Sequence, residues 1–164
     1  MLVRLIRPDL RLLDAALAGD DTFAQALGHA VVPGWATFAG ALRRTRDELA
    51  ADPDAAEWGT RLFLAGDPPE LVGWGGFKGP PADGVVELGY AIAEVRRERG
   101  LATAAARAML AEAFADARVD TVIAHTLPER NASNRVLEKA GFRYAGVTTE
   151  RGRQVWRFER LRSG

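Results

Sequence analysis

The stretch RRERGLATAAARAML, Arg96 to Leu110, sets three arginines and a single glycine at the mouth of an alanine-rich run. A helix N-terminus presents unpaired backbone N–H groups and a partial positive charge, which suits a phosphate. Gly100 lets the backbone approach a bulky anion with no Cβ in the way. Arg96, Arg97 and Arg99 add charge, and the small residues Ala102, Thr103 and Ala104 leave room for phosphate oxygens. The chemistry is that of an anion cradle, suited to a pyrophosphate; the alternative is a plain helix start with solvated arginines. Two familiar cradles do not fit. The Gly-Lys-Ser/Thr of nucleotide hydrolases is absent, and only Gly100 stands where a dinucleotide fingerprint needs three glycines.

Two side chains on either side of this stretch can carry protons. His125 lies in DTVIAHTL, and imidazole titrates near neutral pH, as a general base should. Its alternative is a histidine hydrogen-bonded at a strand end. Glu87 lies in the mostly apolar GVVELGYAIAE, where a carboxylate can accept a proton through water. Its alternative is an exposed carboxylate at a strand end.

These residues need elements to position them. LVRLIRP alternates apolar and charged residues and reads as a strand ended by Pro8. Leu10 to Ala50 reads as two or three helices, broken near Gly28 and VVPG. EWGTRLFLAGDPPELVGWGGFKG is a hairpin turning at Gly66-Asp67-Pro68-Pro69. GVVELGYAIAE is a long strand. The alanine-rich helix runs from Leu101 to Ala117, with Ala106, Leu110, Ala113, Phe114 and Ala117 on one face and Glu112 and Asp116 on another. DTVIAHTL is a short buried strand, and ASNRVLEKAG a helix that Gly141 caps. FRYAGVTTERGRQVWRFERL is a second hairpin, turning at Glu150-Arg151-Gly152. The order predicts an α/β chain with a mixed sheet, and a right-handed parallel crossover from Val85 to Leu127.

At 164 residues, with 48% apolar and 27% charged residues, the chain reads as one domain, 1–164, with a sizeable core. Zero formal net charge gives no reason to expect nucleic acid or an anionic membrane as partner. The absence of cysteine excludes disulfides, zinc thiolates and a thiol nucleophile. The N-terminal segment is broken by Arg4, Arg7, Asp9, Arg11 and Asp14, so it fails as a signal peptide or a membrane span. A cytoplasmic location and no metal are the corresponding expectations.

Arg97-Glu98-Arg99-Gly100-Leu101-Ala102 matches the Arg/Gln-x-x-Gly-x-Gly/Ala signature, and ELGYAIAEVRRERGLAT and HTLPERNASNRVLEKAGF stand before and after it. In these residues the chain resembles the GNAT superfamily of N-acetyltransferases, most of all the ribosomal-protein N-terminal acetyltransferase branch. The resemblance runs from Val86 to about Gly146. It implies the GNAT fold: a mostly antiparallel sheet, a parallel and splayed pair formed by the family's fourth and fifth strands, and helices on both faces. It implies acetyl-CoA as co-substrate and an amine acceptor: a small amine, an aminoglycoside-like molecule or a protein N-terminus. A homodimer is left open. The alternative is a non-catalytic acyl-CoA-binding or regulatory module on the same fold.

Carried onto this chain, the resemblance implies that backbone groups of Tyr90, Ala91 and Ile92 pair with the pantetheine arm. The N–H groups of Glu98, Arg99, Gly100, Leu101, Ala102 and Thr103 hold the pyrophosphate, with Arg97 adding charge. Glu87 or His125 is the base. Ser133 serves the leaving thiolate or, as its alternative, caps its helix; Asn131 binds cofactor or caps that helix instead. Three positions depart from the family. Glu98 stands where many members have glycine, and its carboxylate is expected to face solvent. Arg130 stands three residues before Ser133, where an asparagine is usual. Leu137 stands where many relatives have a tyrosine. Tyr90 itself reads as core or pantetheine wall, His29 as surface, and Trp35, Phe38, Trp58 and Trp74 as core, with Trp35 or Phe38 the alternatives for an acceptor wall.

Overall fold

The computed structural model describes residues 2–36 and 39–163; Phe38 lies outside them. Strand β1 (Arg4–Ile6) leads into three helices, α1 (Leu10–Ala18), α2 (Asp20–Leu27) and α3 (Ala39–Ala51), with a two-residue strand β2 (Ala30–Val31) before the third. The hairpin β3 (Thr60–Ala65) and β4 (Glu70–Phe77) follows, then β5 (Val85–Ile92), α4 (Leu101–Ala115), β6 (Thr121–Thr126), α5 (Ala132–Lys139) and the hairpin β7 (Arg143–Glu150) and β8 (Arg153–Leu161). The sheet order is β1-β3-β4-β5-β6-β8-β7, with β2 beside the start of β4. The family's fourth and fifth strands are thus β5 and β6 here, because β2 is an addition that the sequence pattern did not suggest.

Helices cover both faces, and the strands show why. Leu62 and Leu64 of β3 pack with Leu12, Leu13, Phe23 and Leu42 from α1, α2 and α3. Phe63 and Ala65, pointing the other way, join Ala105, Met109 and Ala113 of α4. A strand buried on both faces reads as an unbroken apolar run, as LFLA, Leu62 to Ala65, does. In α4 the buried face is wider than the predicted stripe: Leu101, Ala105 and Met109 join Ala106, Leu110 and Ala113. Ala117 lies past the helix end and is exposed. The alanines explain the close seat, since Ala favours helix and brings the backbone near the sheet.

The parallel pair is short. β5 and β6 are in register only at Val85–Thr121, Val86–Val122 and Glu87–Ile123. Beyond Glu87 they part, while β6 stays paired with β8 all the way to Thr126.

Candidate active site

At the mouth of α4 the backbone turns twice through left-handed conformations, with φ of 62° at Glu98 and 77° at Gly100. No side chain caps the helix. Arg97 N–H bonds to Glu94 O and Ala104 N–H to Gly100 O; between them, the N–H groups of Glu98 to Thr103 meet no acceptor among the described residues. Six successive donors at a helix N-terminus form an anion nest. The family's usual glycine at position 98 has a physical reason here: an L-residue in this conformation costs about 1 to 2 kcal/mol. Glu98 is exposed, as expected.

The flanking arginines are less free than their sequence suggested. Arg96 is bound to Glu70, Nε to Oε1 at 2.7 Å, so its charge is engaged. Arg97 donates from Nε to Ile92 O at 3.1 Å, clasping the loop back onto β5. Arg99 is exposed and has no ion pair among the described residues.

Where β5 leaves β6, backbone groups are open. Lys78 N–H to Glu87 O and Ala93 N–H to Val72 O fix the phase of the β4–β5 ladder. Odd-numbered β5 residues therefore bond to β4, and even-numbered ones face the gap. The backbone groups of Tyr90 and Ile92 thus face the gap, where the Ile92 carbonyl accepts from Arg97. Those of Ala91 do not: its N–H and C=O face β4, which corrects the expectation that it pairs with the pantetheine arm. Thr121 N–H to Gly84 O gives β6 the matching phase, so the backbone of His125 faces the same gap.

The two proton carriers are one unit. His125 Nδ1 lies 3.0 Å from Glu87 Oε2 and 3.3 Å from Glu150 Oε1. Glu87 Oε2 also accepts from Lys78 Nζ at 2.6 Å. The side chains of His125 and Glu87 are only 9% and 13% exposed, which discards the reading of Glu87 as an exposed strand-end carboxylate. Carboxylates converging on Nδ1 make that nitrogen the donor, leaving Nε2 with the lone pair of the neutral ring. Sequence reasoning missed Glu150 and Lys78. Glu150 read as a turn residue, and only the pairing of β6 with β8 and β8 with β7 brings it to His125.

The start of α5 is a second polar cluster. Asn131 is the N-cap, its Oδ1 accepting from Asn134 N–H at 3.2 Å, and from Asn134 Nδ2 at 3.1 Å. Asn134, fully buried and unremarked in the sequence, also donates to Thr126 Oγ1 at 3.1 Å, pinning α5 to the end of β6. Asn131 thus takes the capping role that was Ser133's alternative. Ser133 sits in the first turn, beside the hydroxyl of Tyr90. That hydroxyl is buried without a hydrogen bond of acceptable geometry among the described residues. Burial pushes the Tyr90 phenol up, and the neighbouring Ser133 pulls it partly back. Trp35, Trp58 and Trp74 are buried, and Trp35 donates to Asp20 Oδ1 at 3.2 Å, so it is core.

The nest, the open edges of β5 and β6 and the orphaned Tyr90 hydroxyl fit a ligand with an anionic end and an extended arm that carries amides, which is the shape of acetyl-CoA. Among the described residues no helix is long and apolar enough to cross a membrane.

Comparison with known proteins agrees. The chain is 29% identical to an uncharacterized N-acetyltransferase, YjdG, of Bacillus subtilis (strain 168), across 85% of each chain. RimJ of Mycobacterium smegmatis, solved with CoA-disulfide, superposes with a TM-score of 0.71 at 20% identity, covering 98% of this chain and 82% of that one. AAC(6′)-Ib, solved with paromomycin and acetyl-CoA, superposes with a TM-score of 0.69 at 19% identity, covering 99% and 95%. At such identities the structures speak for the fold. The family pattern "Acetyltransferase (GNAT) domain" matches residues 1–143, and the chain belongs to the GNAT acetyltransferase family.

Proposed function

We propose that the protein is an acetyl-CoA-dependent N-acetyltransferase that acetylates a primary amine, on a small molecule or a protein N-terminus, by direct attack. The observation that carries this reading is the parting of β5 from β6 immediately after Glu87, beside the His125–Glu87 pair. Bound acetyl-CoA would supply the acyl group as an activated thioester.

Each of the chain's own residues then has a task. The N–H groups of Glu98 to Thr103 hold the pyrophosphate. Tyr90 and Ile92 orient the arm through their backbone groups, though the Ile92 carbonyl already accepts from Arg97. The acceptor arrives as an ammonium, which has no lone pair to attack with. His125 Nε2 takes its proton, directly or through water, and the Glu87 carboxylate at Nδ1 stabilises the imidazolium that forms. The Ser133 hydroxyl donates to the sulfur as negative charge builds there.

The test is thiolate release from acetyl-CoA with a panel of amines that includes amino sugars and N-terminal peptides. His125→Ala should lower kcat roughly 100- to 10,000-fold with CoA affinity retained. Ser133→Ala should lower turnover more than affinity. CoA binding with no release for any amine would favour the non-catalytic module.

A further inference from the structure

We propose that Glu150, at the tip of the β7–β8 hairpin, is a positioning residue for His125, its carboxylate at ion-pair distance from Nδ1 reinforcing the Glu87 hydrogen bond so that Nε2 is presented to the acceptor. This rests on the acetyltransferase reading for its consequence, though not for its geometry.

The charges around the ring distinguish the two carboxylates. Glu87 is shared: the same Oε2 that meets His125 accepts from Lys78 Nζ at 2.6 Å. Its negative charge is thus partly answered by an ammonium. Glu150 has no ion pair other than that with His125 among the described residues. Arg157 faces His125 in register on β8, but it bonds to Glu159 Oε1 at 2.9 Å. So Glu150 is the carboxylate whose charge is left for the ring. Neither acid donates, so the ring nitrogen they share must carry the hydrogen.

The position of Glu150 is built in. It pairs with Arg153 across a two-residue turn, in which Arg151 and Gly152 have φ of 50° and 77°. Such left-handed turns match strand twist and fix hairpin register. A slip of one residue would send the Glu150 side chain to the opposite face of the sheet. The hairpin therefore belongs to the active site, although its sequence shows only a turn. With the Glu150 side chain 40% exposed, the site is open to solvent on this side.

The chain has two histidines, His29 and His125, so nitrogen-15 labelling of histidine gives two ring systems, and the His125→Ala spectrum assigns them. The measurement is the tautomer of the neutral His125 ring in the apo protein. The wild type should show Nδ1–H as the main form. Glu150→Gln should increase the Nε2–H population severalfold, and Glu150→Asp should restore part of the Nδ1–H form, with His29 unchanged in both. In the amine panel, Glu150→Gln should lower kcat about twofold to fivefold, as for one partly exposed ion pair, at constant KM for acetyl-CoA. A wild-type ring in the Nε2–H form, or identical His125 spectra in wild type and Glu150→Gln, overturns the proposal. Failure to bind CoA would instead overturn the acetyltransferase reading, and the tautomer result would stand apart from it.

Discussion

The two ends of α4 lie about 20 Å apart along one helix and treat their polar groups in opposite ways. Around the C-terminal end, cations close off the exposed carbonyls. Arg162 donates from Nη1 to Phe114 O at 2.9 Å, from Nη2 to Asp116 O at 2.8 Å and from Nε to Val119 O at 3.0 Å. Nearby, Arg61, 1% exposed, donates to the carbonyls of Ala56, Glu57, Gly59 and Thr60 and to Glu112 of α4. At the N-terminal end, six N–H groups find no acceptor among the described residues. Glu98, Arg99 and Gly100 are exposed, so water as well as a ligand can meet their N–H groups. The open end of α4 leaves these donors free for an acceptor from outside the chain. A cleft of about 350 Å³ beside Arg61, lined also by Arg7, Glu57 and Trp58, lies at the closed end, away from the residues of the candidate site.

Breaking the closed end should have the largest effect, and on stability alone. Arg61→Ala takes a donor from Glu112 and from four carbonyls, of which Gly59 O keeps Phe77 N–H. Urea unfolding should show a loss of about 3 to 5 kcal/mol, as for a broken buried ion pair, while the folded fraction binds CoA as before. A wild-type midpoint would mean that water replaces the guanidinium without loss.

At the open end the order reverses. A Cβ at Gly100 would meet nothing within 4 Å, so Gly100→Val should fold, bearing the strain of its φ of 77°. CoA affinity, measured by calorimetry, should fall tenfold or more, since the first-turn donors no longer align. Unchanged affinity would remove the nest from the site.

Glu98→Gly sharpens the comparison in the favourable direction. Relief of left-handed strain, less the extra entropy of glycine in the unfolded chain, should stabilise by about 0.5 to 1 kcal/mol. CoA should bind more tightly as well, because a carboxylate leaves the neighbourhood of the phosphates. Weaker binding would give Glu98 a positive role that its charge does not suggest.

The smallest effect belongs to the closed end at low pH. Hydrogen bonds from Arg118 hold the Asp116 carboxyl down at about 2, against an ordinary value of 3.8. A depressed carboxylate contributes stability above its unfolded value, and that contribution is lost as pH falls through about 2. Arg118→Ala should therefore lower stability slightly at pH 7 and flatten its loss between pH 4 and 2, read by thermal unfolding, so that the two proteins converge near pH 2.

How far the site was legible follows from how local each part is. The six donors, Glu98 to Thr103, are consecutive residues that span the loop and the first turn of α4, so their placement follows from chain order alone. Asn131 and Gly141 bound α5 by cap chemistry that operates within a few residues. The splay of β5 from β6 was expected by resemblance, and the three-residue ladder matches it.

The sequence by itself determined the elements other than β2 and their order, because periodicity, caps and φ preferences act between near neighbours. Only the tertiary structure decided the rest. The register of β4 against β5 turned Ala91 away from the gap and Tyr90 toward it, since one residue of phase reverses every backbone group. Glu70 met Arg96 across 26 positions and took its charge from the nest. Glu87 met His125 across 38, and the β6–β8–β7 ladders carried Glu150 to the same nitrogen. Ion pairs and shared protons depend on distances of about 3 Å between residues far apart in the chain, and no local preference encodes those distances.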